Sequence, residues 1–536
     1  MERFLIPILL LSSLFVNATN IYVDSESGND SNSGTSIDCP IRALSKVASM
    51  QLSVGDSILL RASQTHKGTL EIVSYLGNKK NPLVISSYGN GNPAHINAQG
   101  YPNGILLKNS CGIVVRDLLV SADAGGMVRE LDKATKMRCG ILILADEGGE
   151  TQDISIHNVT IKEIYYEEKG FTRETKEVVT ANGTQSYGWG IRAIKTRQGK
   201  VMGAISITDC DVSEVSHTGI KFTGSGKNTK MSDVRITNCS ISDVGGPGMQ
   251  FSCVENAYIA NNKVLNSGSK TDSRNWGRGS GMWTWSACNF LVEHNSFIGA
   301  KGPGDSAGAH IDYNCNDIVL QFNFSANNAG GFIEILGNCH NCAYRYNISV
   351  NDGFREKDVD GAFQEGKILW LSGFVGENSR RNGPYNSYIY NNTIYVSKEI
   401  SAKMALENTV VGALIANNIF YIKDTVTVVP GDQYNPEKKG ESEIENVWIK
   451  NNLYLHSRAL PKEYTDAAPL LGTPVFHHSG GLSPQDYIPK NKKIIRRGIA
   501  IRPIPGDSIG LKIGLEVKTD FLGNPIKGNC IGAIAL

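Results

Sequence analysis

The sequence predicts an all-β protein: a single-stranded right-handed parallel β-helix, a solenoid with an N-terminal and a C-terminal cap. Three observations carry this. First, an apolar residue, two spacers, an Asn and usually a further apolar residue recur along the chain: Ile259, Asn262 and Val264; Val292, Asn295 and Phe297; Leu320 and Asn323; Tyr344, Asn347 and Ile348; Ile389, Asn392 and Ile394; Ile415, Asn418 and Phe420; Ile449, Asn452 and Tyr454. Cys210 and Cys239 take the Asn place in earlier copies, and successive places lie 23 to 45 residues apart, as in an irregular solenoid with loop insertions. Second, the copies hold short β-rich segments that alternate with period two and show no helical apolar stripe. Third, Gly is plentiful, 57 of 536 residues, and with Asn and Ser it punctuates short apolar runs without the Gly-X-Y period of collagen. One coil cannot bury its own apolar face, so coils must stack. An Asn in a left-handed or hydrogen-bonded bend suits each corner, and its amide can bond the next coil. A propeller would need blades of about 40 residues and sharper hairpin signals.

Taken in order, residues 1–18 read as a cleavable signal peptide, with Arg3, an apolar run from Phe4 to Val16 and small residues up to Ala18. About 13 apolar residues are too few to span a bilayer, so the mature chain is expected to be secreted or periplasmic, without a membrane span. Residues 19–100 are the N-terminal cap and first coils, with Pro40–Met50 as a short amphipathic helix closing the open end. Residues 101–460 are the β-helix. A charged insertion near 163–187 breaks it (Glu163, Glu167, Glu168, Lys169, Arg173, Glu174), as do segments from Asp352 to Gly366 and from Pro430 to Ser442. Long loops on a rigid scaffold tend to build its binding face. Residues 461–536, where the repeat fades and Pro-rich stretches appear, are a strap and cap.

The net charge is +1, which gives no electrostatic reason to expect a nucleic acid or an anionic membrane as partner. A monomer is expected. Eleven cysteines are an odd number in a chain too long to need staples. Cys210, Cys239 and Cys315 follow Asp or Asn in similar settings, which points to buried free thiols at equivalent repeat positions. Cys339 and Cys342 form the one plausible local pair. Asn158, Asn238, Asn323 and Asn347 stand in Asn-x-Ser/Thr sequons, acceptors only in a eukaryotic host.

Several stretches carry a resemblance. They are Ile21–Asp30 with Ser33–Thr35, Cys39 and Pro40; Val54–Leu60; Gly308–Tyr313 and Leu320–Asn328; and Asp520–Pro525 with Ile531–Ala533. They resemble the opening, core and closing segments of the secreted right-handed β-helix proteins of the pectate-lyase-like superfamily, over most of the mature chain. That superfamily includes polysaccharide lyases and glycoside hydrolases. The resemblance implies the fold and a polysaccharide or oligosaccharide substrate; the chemistry must come from the site.

Five consecutive coils contain a strand that opens with Gly: Gly219, Gly248, Gly281, Gly308 and Gly330. Aligned on that Gly, the second and fourth following residues share a face. It reads Lys221 and Thr223, Gln250 and Ser252, Trp283 and Trp285, His310 and Asp312, Phe332 and Glu334. The opposite face is apolar and must point inward, so this column points out. Trp283 and Trp285 suit sugar stacking. Asp312 and Glu334, on adjacent strands about 4.8 Å apart, suit a carboxylate pair about 5–6 Å apart, which predicts retention of configuration.

The expected function is therefore a secreted glycoside hydrolase. Asp312 and Glu334 are its catalytic carboxyls with His310 beside them. Trp283, Trp285, Lys221, Arg192, Gln250, Arg355 and Glu365 bind substrate, and no cofactor or metal is assigned. Lys221 and Arg192 can also bind a carboxylate or sulfate, and Asp305 can reach the column from its turn. One alternative is a polysaccharide lyase, with Lys221, Arg192 or His310 as base on a uronate and calcium as a possible cofactor. Asp358–Gly361 holds only a fragment of a calcium loop. Another is a non-catalytic carbohydrate-binding β-helix. Serine-hydrolase, Walker and zincin motifs are missing from the sequence.

Overall fold

In the computed structural model, residues 18–126, 137–181, 183, 186–225, 231–376, 379–429 and 445–535 are described. The expected signal peptide up to residue 17 and the whole third break, from Pro430 to Ser442, lie outside them. Strands stack in parallel coil upon coil: one ladder of 26 strands supplies two faces of the solenoid and a ladder of 12 supplies the third. A middle coil shows the plan. A long strand, Met231–Thr237, turns at a corner into a short one, Ser240–Ser242, and a loop leads to Met249–Ser252 on the third face. The expected β-helix is thus the observed fold. The parallel pairing begins at Asn20–Val23 against Ser57–Arg61 and runs through Leu453 and Tyr454 against Leu470 and Leu471.

The repeat explains the stacking. The first apolar residue of each copy points inward and sits in register with the next: Ile236, Ile259, Val292, Leu320, Tyr344, Ile389 and Ile415 are all buried. The Asn places form a continuous ladder. Asn262, Asn295, Asn323, Asn347, Asn392 and Asn418 each donate from backbone N and from Nδ2 to the Oδ1 of the next Asn, at 2.9–3.1 Å. Asn452 closes the ladder on the Asp466 carboxylate, at 2.8 and 3.1 Å. The left-handed residue is not this Asn but the one before it: Asn261, His294, Phe322, Tyr346, Asn391, Asn417 and Asn451 have φ of 54–58°. Phe322 and Tyr346 accept a conformation that costs bulky residues about 1–2 kcal/mol, and the bonded Asn after each holds it there. With their amides so used, Asn323 and Asn347 are not available as glycan acceptors.

The caps are short elements. The N-terminal helix is Leu44–Val47, which buries Leu44 and Val47. The tail packs back along the outside of the late coils: Phe476, Tyr487, Ile495, Ile504, Ile531 and Ala533 share a core with Phe324, Tyr346, Tyr388, Tyr395 and Leu414. All eleven cysteines are free, Cys339 and Cys342 included. Cys210 and Cys239 lie in the Asn row, where Cys239 N donates to Asn262 Oδ1. Cys315 is at a different corner, stacked on Cys339, whose Sγ accepts from Cys315 N at 3.4 Å. Among the described residues no helix is long and apolar enough to cross a membrane.

Candidate active site

The third face carries a column of glycines, because each Cβ there would run into a carbonyl oxygen of the next coil. Gly104, Gly140, Gly190, Gly219, Gly248 and Gly281 are each followed in the stack by the oxygen of the next one, ending at Gly308. Two and four residues beyond each lie outward side chains. One row reads Arg192, Lys221, Gln250, Trp283, His310 in direct register. The neighbouring row runs through Thr223, Ser252 and Trp285 and reaches Asp312, whose N bonds Thr284 O at 3.0 Å.

The next coil breaks the pattern. Ile311 pairs with Ile335, and Ala307 bridges Gly331. Glu334 therefore continues the row of His310, and Leu336 that of Asp312. Phe332 falls in line with Gly308 and is fully buried. The expected Asp312–Glu334 rung is instead a diagonal, with backbone positions about 8 Å apart from strand spacing and rise. The column argument for a 5–6 Å pair falls with it. The Gly330–Gly331 pair misleads because it sits two residues early; Gly331 takes φ of 136° against the Lys367 backbone.

The rows floor a groove of about 790 Å³. Arg192, Lys221, Gln250, Trp283, Trp285, His310, Asp312 and Glu334 all line it, joined by Asp305, Arg278, Ser280, Gln364 and Trp370. Val179 and Ala181 of the 163–187 insertion form one wall. That insertion is pinned by Trp276 Nε1 on Glu177 O at 3.1 Å and by Arg278 Nη1 on Val178 O at 3.0 Å. Arg355 and Glu365 are not among the lining residues. Arg355 is buried and donates to Gln364 O at 2.6 Å, Gly302 O at 3.1 Å and Asp305 O at 2.9 Å. Glu365 pairs with Lys403 at 3.2 Å. Both fasten the 352–366 loop over the Asp305 turn.

Asp305 is the residue that sequence reasoning placed at the margin and the structure places among the carboxyls. It lies in a turn where Asp305 and Ser306 both have positive φ, 47° and 63°, backbone strain of the kind found at functional sites. Its Oδ2 accepts from Arg278 Nε at 2.9 Å and pairs with Nη2 at 2.8 Å. Burial opposes its charge, but Arg278, His310 and Arg355 hold the carboxyl below its ordinary range. Asp312 goes the other way: burial, with the Asp305 charge, pushes it up to about 7 despite a 2.7 Å bond from Tyr313 N. Glu334 is raised by burial and by Asp305 and Asp312, with Lys367 and Arg355 pulling against them. Burial keeps His310 neutral, near 4, outweighing Asp305; its Nδ1 meets Ser280 Oγ at 3.2 Å and its ring stacks on Trp283, 5.9 Å between centroids. The site thus sets one carboxyl held toward its ionised form by Arg278 and two pushed toward their protonated forms by burial beside two indoles. Among the described residues no group of three or more His, Cys, Asp or Glu is placed to hold a metal ion.

A model of the right-handed β-helix region matches residues 189–355. Over an alignment of 616 residues the chain is 23% identical to the lacto-N-biosidase of Bifidobacterium longum subsp. longum, covering 96% of this chain and 36% of that protein. The chain thus spans little more than a third of that relative's length. Among solved structures it is similar to the GH136 lacto-N-biosidase from Eubacterium ramulus, with TM-score 0.55, 16% identity, and 84% and 68% of the two chains covered. It is also similar to XylC in complex with xylose, with TM-score 0.50, 14% identity, and 96% and 98% covered. These likenesses agree with the stacked parallel ladders: the chain is a right-handed parallel β-helix.

Proposed function

We propose that this protein is an exported glycoside hydrolase that cleaves an oligosaccharide or polysaccharide bound along the third face. The observation that carries the reading is the unequal setting of three carboxyls in one groove: Asp305 paired with Arg278, Asp312 and Glu334 pushed toward their protonated forms by burial. Glycosidases need one carboxylate and one carboxylic acid at the same pH. Asp305, neutralised by Arg278, supplies the first; Asp312, raised by burial, supplies the second, with Glu334 as a further acid beside Lys367. Trp283 and Trp285 give stacking surfaces for the sugar, and neutral His310, fixed by Ser280, can hydrogen-bond a hydroxyl. The likeness to a lacto-N-biosidase supports hydrolysis over elimination. Digestion of a broad glycan panel, followed by mass spectrometry, tests the reading: new reducing ends without absorbance from unsaturated products are expected. Unsaturated products would indicate the lyase, and no product from any glycan would leave a binding protein.

A further inference from the structure

The end of the groove away from the carboxyls has a different chemistry. Arg192 and Lys221 stand on adjacent strands in direct register, and both line the groove. Stacked strands set such neighbours about 4.8 Å apart, so two basic side chains stand on neighbouring rungs. The Arg192 guanidinium lies over the Trp189 ring, 4.3 Å from its centroid, and gives Nη1 to the Met137 sulfur at 3.0 Å. A thioether is a weak acceptor, and the buried Arg192 Nε has no hydrogen-bond partner among the described residues. On the next rung Gln250 is only 2% exposed, and its buried Oε1 also lacks a partner there. Burial, with Arg192 alongside, drives the Lys221 ammonium well below its usual range. A guanidinium N–H left unpaired in a dry site, as Arg192 Nε is, is costly unless an acceptor from a ligand joins it.

We propose that Arg192 and Lys221 form a subsite for the anionic substituent of an acidic glycan, a carboxylate or a sulfate, with Gln250 bonding the same sugar or its neighbour. The inference rests on the groove being a glycan site and narrows its substrate class. Arg192 offers planar, charge-assisted bonds to either group while its ring contact with Trp189 holds the guanidinium in place. Lys221 lies three rungs and Arg192 four rungs from His310, about 14 and 19 Å away. The acidic sugar is therefore at least one unit removed from the bond that is cut.

Binding of matched neutral, uronate-bearing, sialylated and sulfated oligosaccharides to the full chain carrying Asp312→Asn, measured by calorimetry, tests this without turnover. At least one acidic series is expected to bind about tenfold more tightly than its neutral counterpart, with the advantage shrinking between about 0.05 and 0.5 M salt. The carboxylate and sulfate arms identify which group is read. Arg192→Gln and Lys221→Gln should each abolish the preference for the acidic series over its neutral counterpart. Arg192→Lys, which keeps the charge, should retain part of it and controls for folding. Equal binding of neutral and acidic glycans, or a preference that survives both Gln variants, overturns the proposal. Acid-selective binding with no cleavage by the wild type would sink the hydrolase reading alone; cleavage of neutral glycans with no acid preference would sink the subsite alone.

Discussion

Glu334 stands in register with His310, and the Asp312 backbone lies diagonally across from it, because Ile311 pairs with Ile335. Asp305, seven residues before Asp312 in the chain, lines the same groove from its turn, paired with Arg278. Three carboxyls thus share one site, and they are not equivalent. Asp305→Asn and Asp312→Asn should each lower turnover by about 10²–10⁴-fold, the range of general acid–base assistance. Glu334→Gln should cost less if Asp305 is the charged partner of Asp312. Azide rescue of one Asn variant, with the product anomer followed by NMR, shows which residue attacks. An equal loss for Glu334→Gln alongside an active Asp305→Asn would restore the Asp312–Glu334 pair.

The acid and alkaline limbs of activity should respond to different residues. The alkaline limb follows loss of the Asp312 proton near pH 7. The acid limb follows protonation of Asp305, which Arg278 holds low. Arg278→Gln should therefore move the acid limb upward by about one pH unit or more, since a nearby opposite charge is worth about 1–3 units to a carboxyl. The alkaline limb should move less. A kcat–pH profile of the two proteins measures both shifts.

Stability should show the same groups with the sign set by linkage. Asp312 is protonated when folded and ionised when unfolded between its ordinary value and about 7, so it makes stability fall as pH rises through that window. His310, lowered to about 4, does the opposite up to its ordinary value of 6.5, where the unfolded chain holds the extra proton. The two oppose each other in mild acid, and above pH 6.5 the carboxyls act alone. Asp312→Asn should then raise Tm by about 1–3 °C at pH 8 and by clearly less at pH 5, which lies early in that window. A gain that is equal at both values would mean that burial of the charge is not what the variant relieves.

Much of this was legible from residue order alone. The recurring Asn gave the coil, and the Gly-opened strands gave the outward rows from Lys221 to His310, because both patterns are local and repeat. What failed was long-range. The slip at Gly330–Gly331 depends on where Lys367, a coil later, puts its backbone. Arg355 and Glu365 looked like groove residues from their place in a charged loop, yet Arg355 spends its donors on Gln364, Gly302 and Asp305. The clue to Asp305 was an acid in a Gly-rich turn just ahead of a site strand, but its partner Arg278 comes from the preceding coil.

Trp283 and Trp285 should act through binding. Both are partly exposed on the groove floor, and Trp285 tilts against Tyr313 with centroids 5.0 Å apart. Truncating either to Ala should weaken glycan binding by about 1–2 kcal/mol, the worth of a lost aromatic platform. Trp283→Ala should in addition lower kcat, because it removes the ring that stacks on His310. Calorimetry with Tm measured in parallel separates this from a packing role. A fall in Tm with unchanged binding would return both indoles to structure.

The Asn ladder should govern whether the solenoid holds together at all. Asn323 is fully buried; it accepts two bonds from Asn295 and donates Nδ2 to Val292 O, Gln321 O and Asn347 Oδ1. Asn323→Ala takes away the acceptor of the Asn295 backbone N–H, and an orphaned buried donor costs about 1–3 kcal/mol; the Asn323 backbone N still serves Asn347 Oδ1, and Asn295 Nδ2 still reaches Ile259 O and Glu293 O. Asn323→Leu adds volume at a corner that has none to spare and should be worse. Asn323→Cys should be the mildest of the three, because Cys210 and Cys239 already occupy equivalent places, where each thiol finds a carbonyl. Denaturant midpoints should rank wild type, Cys, Ala and Leu in that order. A Cys variant as unstable as Ala would mean that the early cysteine corners stand by packing alone.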